Sequence, residues 1–280
     1  MVFQQHRSVQ AGDVNLDGLD LDISVTKSSD DPLEFEVSTW NLSEASWRKI
    51  DEGDQCRIEL GWADGEIATV CFGEITSTKP EMDGGDLRYQ IKGIDESEGA
   101  TYARPDEDWG QKSWVNTSPD EIASDIFQSC GLTAAVEPVG GNIQGVWSAT
   151  PDKRARDLVD ELLEYAVEIS GEAWEWYAEQ GRGYFQPRNQ ETVDAPELSY
   201  DSSLVSINEA SSEDDDAELE LDFETMLDPR IRKGAAVYVD VDQHRGGYRV
   251  DSFEFSSDTT SGTHIVNGTL IPIDADYSVA

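Results

Sequence analysis

The chain has 280 residues, with 59 Asp and Glu against 20 Lys and Arg, for a formal charge of −39. That length allows two or three ordinary domains, each with its own core. Eight Trp, nine Tyr and eight Phe exclude a disordered acidic chain, which would lack aromatics.

No apolar run approaches the ~18 residues that a membrane-spanning helix needs, so no membrane insertion is expected. Residues 1–7 carry no apolar stretch of the kind that marks a secretory leader. Cys56, Cys71 and Cys130 are odd in number and far apart, which fits neither a disulfide framework nor a C-x-x-C ligand set; each reads as a buried, reduced thiol. No basic patch is present for phosphate contact. The acids alternate with apolar residues throughout, and the cations are seven Lys and thirteen Arg. Acid-rich, lysine-poor, evenly spread charge suits molar salt, where self-repulsion is screened over ~3 Å. A halophilic host is therefore expected.

In chain order, Val14, Leu16, Leu19, Leu21, Ile23, Val25, Leu33, Phe35 and Val37 alternate with period two, with turn signals at Asp17-Gly18 and 28–32. This is the pattern of short antiparallel strands. Asp13-Val14-Asn15-Leu16-Asp17-Gly18 matches the start of a calcium-binding EF-hand loop, but the twelfth position is Ser24 rather than Glu and strands flank it, so a hairpin turn is expected. Ser43 can cap one helical turn over 44–50. Alternation resumes through Cys56, Ile58 and Leu60, then Val70, Phe72 and Ile75, then Leu87, Tyr89 and Ile91. Residues 1–97 read as a small all-β barrel or strongly curled sheet.

The middle differs. Ser118-Pro119-Asp120-Glu121 is a capping box with Pro at the first helical position, and Gly131 ends that helix. A second helix is expected from Thr150-Pro151, with Ala155, Leu158, Val159, Leu162, Leu163 and Ala166 on one stripe. A β-hairpin follows, turning at Gln180-Gly181-Arg182-Gly183. Residues 98–188 form a central α+β domain, with a leading linker over 98–112. Residues 189–217 are polar, end in the acidic run 211–216, and read as linker and loop. The β pattern returns over 218–280 as a second barrel.

The two β regions superimpose as an internal repeat. Ile50-Asp51-Glu52-Gly53 lies on Ile231-Arg232-Lys233-Gly234, after which Cys56, Ile58 and Leu60 fall on Val237, Val239 and Val241 without a gap. Phe72-Gly73-Glu74-Ile75 lies near Val250-Asp251-Ser252-Phe253, and Ile94-Asp95 near Ile273-Asp274. The fold class expected is mainly β with an α+β insertion: two related tube-like β-barrels flanking a central domain.

Trp40-Asn41-Leu42-Ser43, Gly53-Asp54 opening a strand, Gly61-Trp62 and Phe72-Gly73-Glu74-Ile75 resemble the first barrel of phage tail hub (baseplate hub) proteins. Leu227-Asp228-Pro229-Arg230-Ile231 with Gly234, Gly247-Tyr248-Arg249-Val250 and Ser261-Gly262 resemble the second. Ser118 to Ile122, Leu132 and 151–166 look like that family's central domain. The chain departs from the pattern in its heavy acidification and in having no appended cell-wall-degrading domain.

The resemblance implies a structural virion protein, made in the host cytoplasm and placed at the tail tip. It would form a homotrimer whose six barrels join a sixfold tail tube to threefold tip components. The implied partners are the tail tube or distal tail protein, other tip or baseplate proteins and the tape measure protein. Closed rings follow from heterologous contacts whose rotation closes. Lumen-facing acids would let viral DNA pass without binding.

Other functions find less support. With 59 carboxylates, a glycosidase-like acid pair arises by chance. His6, His244 and His264 are too few, and sit in contexts too exposed, for a triad or zinc site, and no nucleophile elbow, P-loop or dinucleotide fingerprint occurs. Arg104, Arg154 and Arg182 read as surface ion-pair partners. No catalytic, cofactor-binding or metal-binding residue is assigned, and no enzyme is expected. Trp109, Trp114, Trp147, Trp174 and Trp176 could stack on sugars in a carbohydrate- or receptor-binding β protein, the alternative reading. A DNA mimic would need a dense acidic stripe, whereas these acids are dispersed.

Overall fold

A computed structural model describes residues 4–28, 31–102, 112–150, 152–188, 195–210, 219–241 and 243–273. The chain forms two compact units, Met1–Asp95 with Glu191–Ala280, and Glu96–Gln190.

The chain begins with β1 (Gln5–Ala11), which turns back through Gly12 into β2 (Val14–Asn15). The Asp17 carboxylate accepts from the Val9 N–H at 3.0 Å and from Asn15 Nδ2 at 3.1 Å, so it closes a hairpin turn. β3 (Leu21–Lys27) and β4 (Glu34–Trp40) bury Leu21, Ile23, Val25, Phe35 and Val37, the predicted period-two set. α1 (Glu44–Trp47) is one turn capped by Ser43, whose Oγ accepts from the Ser46 N–H at 3.1 Å. β5 (Gln55–Trp62), β6 (Ile67–Asp83) and β7 (Asp86–Asp95) complete this region as an antiparallel meander.

The second unit contains α2 (Glu96–Tyr102), β8 (Ser113–Val115), α3 (Pro119–Ser129), β9 (Thr133–Val136), β10 (Val146–Ser148), α4 (Ala155–Ser170), β11 (Trp174–Glu179) and β12 (Arg182–Pro187). Ser118 caps α3 by accepting from the Glu121 N–H. α4 starts at Ala155, later than the expected Thr150, because Asp157 caps the backbone at Arg154; Pro151 lies outside the described residues. β11 and β12 pair through a two-residue turn at Gln180 and Gly181, both with positive φ (52° and 75°), the conformation a tight hairpin requires. Ile122, Ile126 and Phe127 of α3 and Leu158, Val159 and Leu162 of α4 share one core with Trp174 and Phe185.

The last segment supplies β13 (Glu197–Leu198), β14 (Leu204–Glu209), β15 (Leu221–Met226), β16 (Ala236–Val239), β17 (Gly246–Asp258) and β18 (His264–Pro272). β13 and β14 fall in 189–217, expected as linker and loop. Leu198, Leu204 and Ile207 are buried there, too sparsely spaced among polar residues to show as a periodic run. The acidic run 211–216 lies outside the described residues.

The mainly β class with an α+β insertion holds, and the two β regions share one curled sheet of 13 strands. Its main path runs β14-β15-β18-β17-β3-β4-β7-β6-β5-β1-β2, with β16 on β17 and β13 on β16. One apolar core continues from Val9 to Leu270 beneath it.

Candidate assembly interface

The repeat is visible in the backbone itself. Gly53 has φ +92° and Gly234 φ +79°, a conformation that costs other residues about 1–2 kcal/mol. The Gly53 N–H donates to the Ile75 carbonyl at 2.8 Å, and the Gly234 N–H to the Val250 carbonyl at 2.9 Å. In return the Ile75 N–H reaches Asp54 O and the Val250 N–H reaches Ala235 O. Just beyond each, the ladder is interrupted by a bulge, between Ile75 and Ser77 in β6 and between Val250 and Ser252 in β17. Ile75, Gly93, Phe35 and Val25 lie opposite one another across four strands, as do Val250, Leu270, Leu221 and Glu209. Thus β3-β4-β7-β6-β5 and β14-β15-β18-β17-β16 are equivalent, and Ile75 matches Val250. The sequence comparison set Ile75 against Phe253, three residues away. It paired like side chains, whereas the stretch from the turn glycine to this position is longer in the first repeat than in the second. The second repeat also begins at β14, ahead of the expected boundary at 218.

The two repeats meet where β17 runs past its own repeat. Its first half pairs with β16, and its second half with β3, from Phe253 opposite Lys27 to Asp258 opposite Asp22. Ser24 Oγ donates to Glu254 Oε1 at 2.9 Å, and across the end of the ladder the Leu21 N–H donates to Thr259 Oγ1 while the Thr259 N–H donates to Leu21 O, each at 2.9 Å. Behind the strands, Arg7 reaches Ser257 Oγ and the carbonyls of Asp258 and Thr263, at 3.1 and 3.2 Å. Trp62 Nε1 donates to Leu227 O at 2.7 Å, and Arg232 donates to Thr69 O at 2.6 Å.

His264 is the centre of this joint and is buried, at 3% exposure. Its Nε2 lies 2.8 Å from Gly61 O, which can only accept, so Nε2 carries the hydrogen and Nδ1 accepts from Ser257 Oγ at 2.7 Å. The Trp62 ring meets the imidazole edge-on, 4.7 Å between centroids. Burial, with help from Arg7 and His6, pushes the His264 pKa down to about 4 against the pull of the Gly61 carbonyl. The residue is neutral and structural. Its predicted exposure fails because the second repeat brings it against the first. Burial lowers the Arg7 pKa as well, with Asp258 opposing.

At the outer end of the joint two carboxylates face each other. Burial raises the Asp22 pKa, with Asp258 and Glu36 adding to it and Arg88 opposing. Burial also works to raise Asp258, but hydrogen bonds from Ser261 and Thr260 outweigh it and leave that group low.

The other residues singled out in the sequence do not assemble into a site. Trp114 and Trp147 are buried against each other, with centroids 5.3 Å apart, and Trp174 packs on Phe185. Trp176 Nε1 donates to Asp160. Trp114, Trp147 and Trp174 belong to the second unit's core, and Trp176 packs half-buried against it. Trp109 and Arg104 lie outside the described residues. Arg154 lies over the Tyr102 ring at 5.8 Å, and Arg182 is exposed. Cys56 and Cys71 are buried, the Cys56 thiol pushed up to about 12 by burial, and Cys130 is half-buried. Among the described residues no group of three or more His, Cys, Asp or Glu is placed to hold a metal. No helix among the described residues is long and apolar enough to cross a membrane. Nothing in the sequence pattern points to the joint; in the structure β17 runs past its β16 partner and its outer half meets β3.

No protein-family model matches the chain, and no curated protein matches it. Solved structures do. The 43 kDa tail protein of prophage MuSo2 from Shewanella oneidensis superimposes with a TM-score of 0.72 at 13% identity, covering 96% of this chain and 97% of that one. The tail protein from Neisseria meningitidis MC58 gives 0.68 at 11%, covering 96% of each. The E. coli c3393 protein, described as a type VI secretion component similar in structure to the T4 tail proteins gp27 and gp5, gives 0.64 at 12%. It is covered over 79% of its length by 97% of this chain. The chain has the fold of phage tail proteins.

Proposed function

We propose that this is a structural tail protein, without enzymatic activity, that forms a homotrimeric hub ring at the tip of a virus tail. The carrying observation is the joint. A chain of two equivalent sheet modules, joined edge to edge, presents threefold symmetry to tip proteins and near-sixfold symmetry to a tube. Three copies place six such modules in the ring. The partners that fit are the tail tube or distal tail protein on one side, and tip or baseplate proteins with the tape measure protein on the other. The Glu96–Gln190 unit supplies a separate surface for the tip proteins.

Charge refines the reading. Three copies each carrying −39 repel a phosphate backbone, so DNA crosses the ring without sticking. The same charge suits a halophilic, archaeal host. Circular dichroism and light scattering should show loss of structure or assembly as salt is withdrawn, and unchanged signals would remove the halophile argument.

The deciding experiment is light scattering with electron microscopy in high KCl. The expected particle has three times the 31.0 kDa chain mass and a central hole. A monomer at every salt concentration overturns the ring.

A further inference from the structure

We infer that the sheet continues from copy to copy: β14 of one chain pairs antiparallel with residues 79–83 of β6 in the next. It takes there the register that β3 takes on β17 within the chain. The inference rests on the ring reading only for the number of copies.

The argument is one of unequal ends in equal modules. In the second repeat, the outer half of β17 is covered by β3. The equivalent outer half of β6 has β7 on one side and no described strand on the other. β14, the equivalent of β3, ends the sheet path with an edge left open among the described residues. Each open edge therefore has the partner type that closes its counterpart inside the chain. Such rows of free N–H and C=O groups are natural templates for pairing.

The register can be carried across. Because Ile75 matches Val250 and Val25 matches Glu209, the internal pairs Phe255–Val25, Ser256–Ser24, Ser257–Ile23 and Asp258–Asp22 become Pro80–Glu209, Glu81–Asn208, Met82–Ile207 and Asp83–Ser206. This register meets a condition it was not built from. Ile207 faces the apolar core, and the residue placed opposite it is Met82, an apolar side chain left 69% exposed. Its neighbour across the hairpin, Leu87, is 40% exposed. The residues equivalent to these two, Ser257 and His264, are buried at the internal joint. Val205, the extra residue at the bulge of β14, is 52% exposed. A one-residue slip would turn Met82 to the wrong face. Lys79, Glu81 and Asp83 put charge on this edge, and Pro80 brings no N–H, which discourages pairing with strands lacking the matching apolar residue.

The test is a cysteine pair on the solvent-facing positions, Glu81→Cys with Asn208→Cys in a Cys130→Ser background, oxidised in high KCl. Opposite residues in an antiparallel pair have Cα atoms about 4.5–5.5 Å apart, within disulfide reach. Expected is a covalent ladder stopping at the ring, absent from each single variant and much weaker for Glu81→Cys with Ser206→Cys, two residues out of register. A second variant, Met82→Asp, should leave circular dichroism unchanged and abolish the oligomer. A ring that forms without the crosslink, or survives Met82→Asp, overturns this pairing while leaving the hub reading intact. A chain that stays monomeric at every salt concentration overturns the hub reading itself.

Discussion

Ser257 and His264 in the second repeat stand where Met82 and Leu87 stand in the first, and the two pairs have opposite surroundings. The first pair is buried, polar and fully hydrogen-bonded between Arg7 and Gly61; the second is apolar and exposed. The frames around them agree, down to the glycine turn and the bulge. What differs is the far side. The Ser257 side meets a fixed neighbour within the chain and can be tailored by specific hydrogen bonds. The Met82 side has no such neighbour among the described residues, and apolar contact tolerates small changes in approach. The edges of the modules differ as well. β5 is flanked by the seven-residue antiparallel β1, whereas β16 is flanked by the two-residue parallel β13. A repeat thus keeps its hydrogen-bonded middle and specialises its margins.

The largest expected break in that comparison is at Phe255, whose equivalent is Pro80. Phe255 is fully buried, so Phe255→Ala should cost about 3–5 kcal/mol, as other large-to-small core changes do. Pro80→Ala should change the isolated chain by no more than about 0.5 kcal/mol, because Pro80 is exposed. Urea denaturation of both at one salt concentration measures the contrast. Equal costs would mean that the two strands have equal surroundings, against the structure.

His264 sharpens the comparison through pH. Its folded pKa is about 4 against an ordinary 6.5, so the unfolded chain binds the extra proton. Its contribution to stability is therefore full above pH 6.5 and is lost as pH falls toward 4. Carboxylates titrate in part of this range, so the readout is a difference. The melting temperature of the parent should fall more steeply between pH 6.5 and 5 than that of His264→Gln. Parallel curves would show that the imidazole is not held neutral. A smaller and symmetrical effect is expected at the turns: Gly53→Ala and Gly234→Ala should each cost about 1–2 kcal/mol, by the same denaturation measurement. A large inequality would break the equivalence of the two repeats at its best-matched point.

Much of this was legible in the sequence. The helix caps at Ser43 and Ser118, the Gln180-Gly181 turn and the match of Cys56, Ile58 and Leu60 to Val237, Val239 and Val241 depend on neighbours a few residues away, and local chemistry determines them. The resemblance to tail hub proteins also agrees with the fold found. The joint was not legible. It depends on Arg7, Gly61 and Trp62 meeting Ser257 and His264 across some 200 residues of chain, and no periodicity encodes such a meeting. The register was hidden for a related reason: the stretch between the turn glycine and the matching strand position differs in length between the repeats, so no fixed spacing relates them. β14 escaped notice because an edge strand of six residues with one solvated face carries few apolar positions.

The smallest predicted effect lies at the outer end of the joint, where Asp22 and Asp258 stand directly opposite each other. Like charges facing across a ladder destabilise by a few tenths of a kcal/mol up to about 1, and burial adds to the cost at Asp22. The position equivalent to Asp22 in the second repeat is Ser206, so the open edges lack this repulsion where Asp83 would face it. Asp22→Asn should therefore stabilise the chain at pH 7 by about 0.5 kcal/mol in low salt. In molar salt, with charges screened over about 3 Å, the part owed to the facing carboxylate should fade and only the part owed to burial should remain. Melting temperatures of parent and variant along a KCl series would show the two curves drawing closer as salt rises. Curves that stay equally far apart would mean that the penalty at Asp22 is desolvation and not the facing carboxylate, and the joint would then tolerate low salt better than its charge implies.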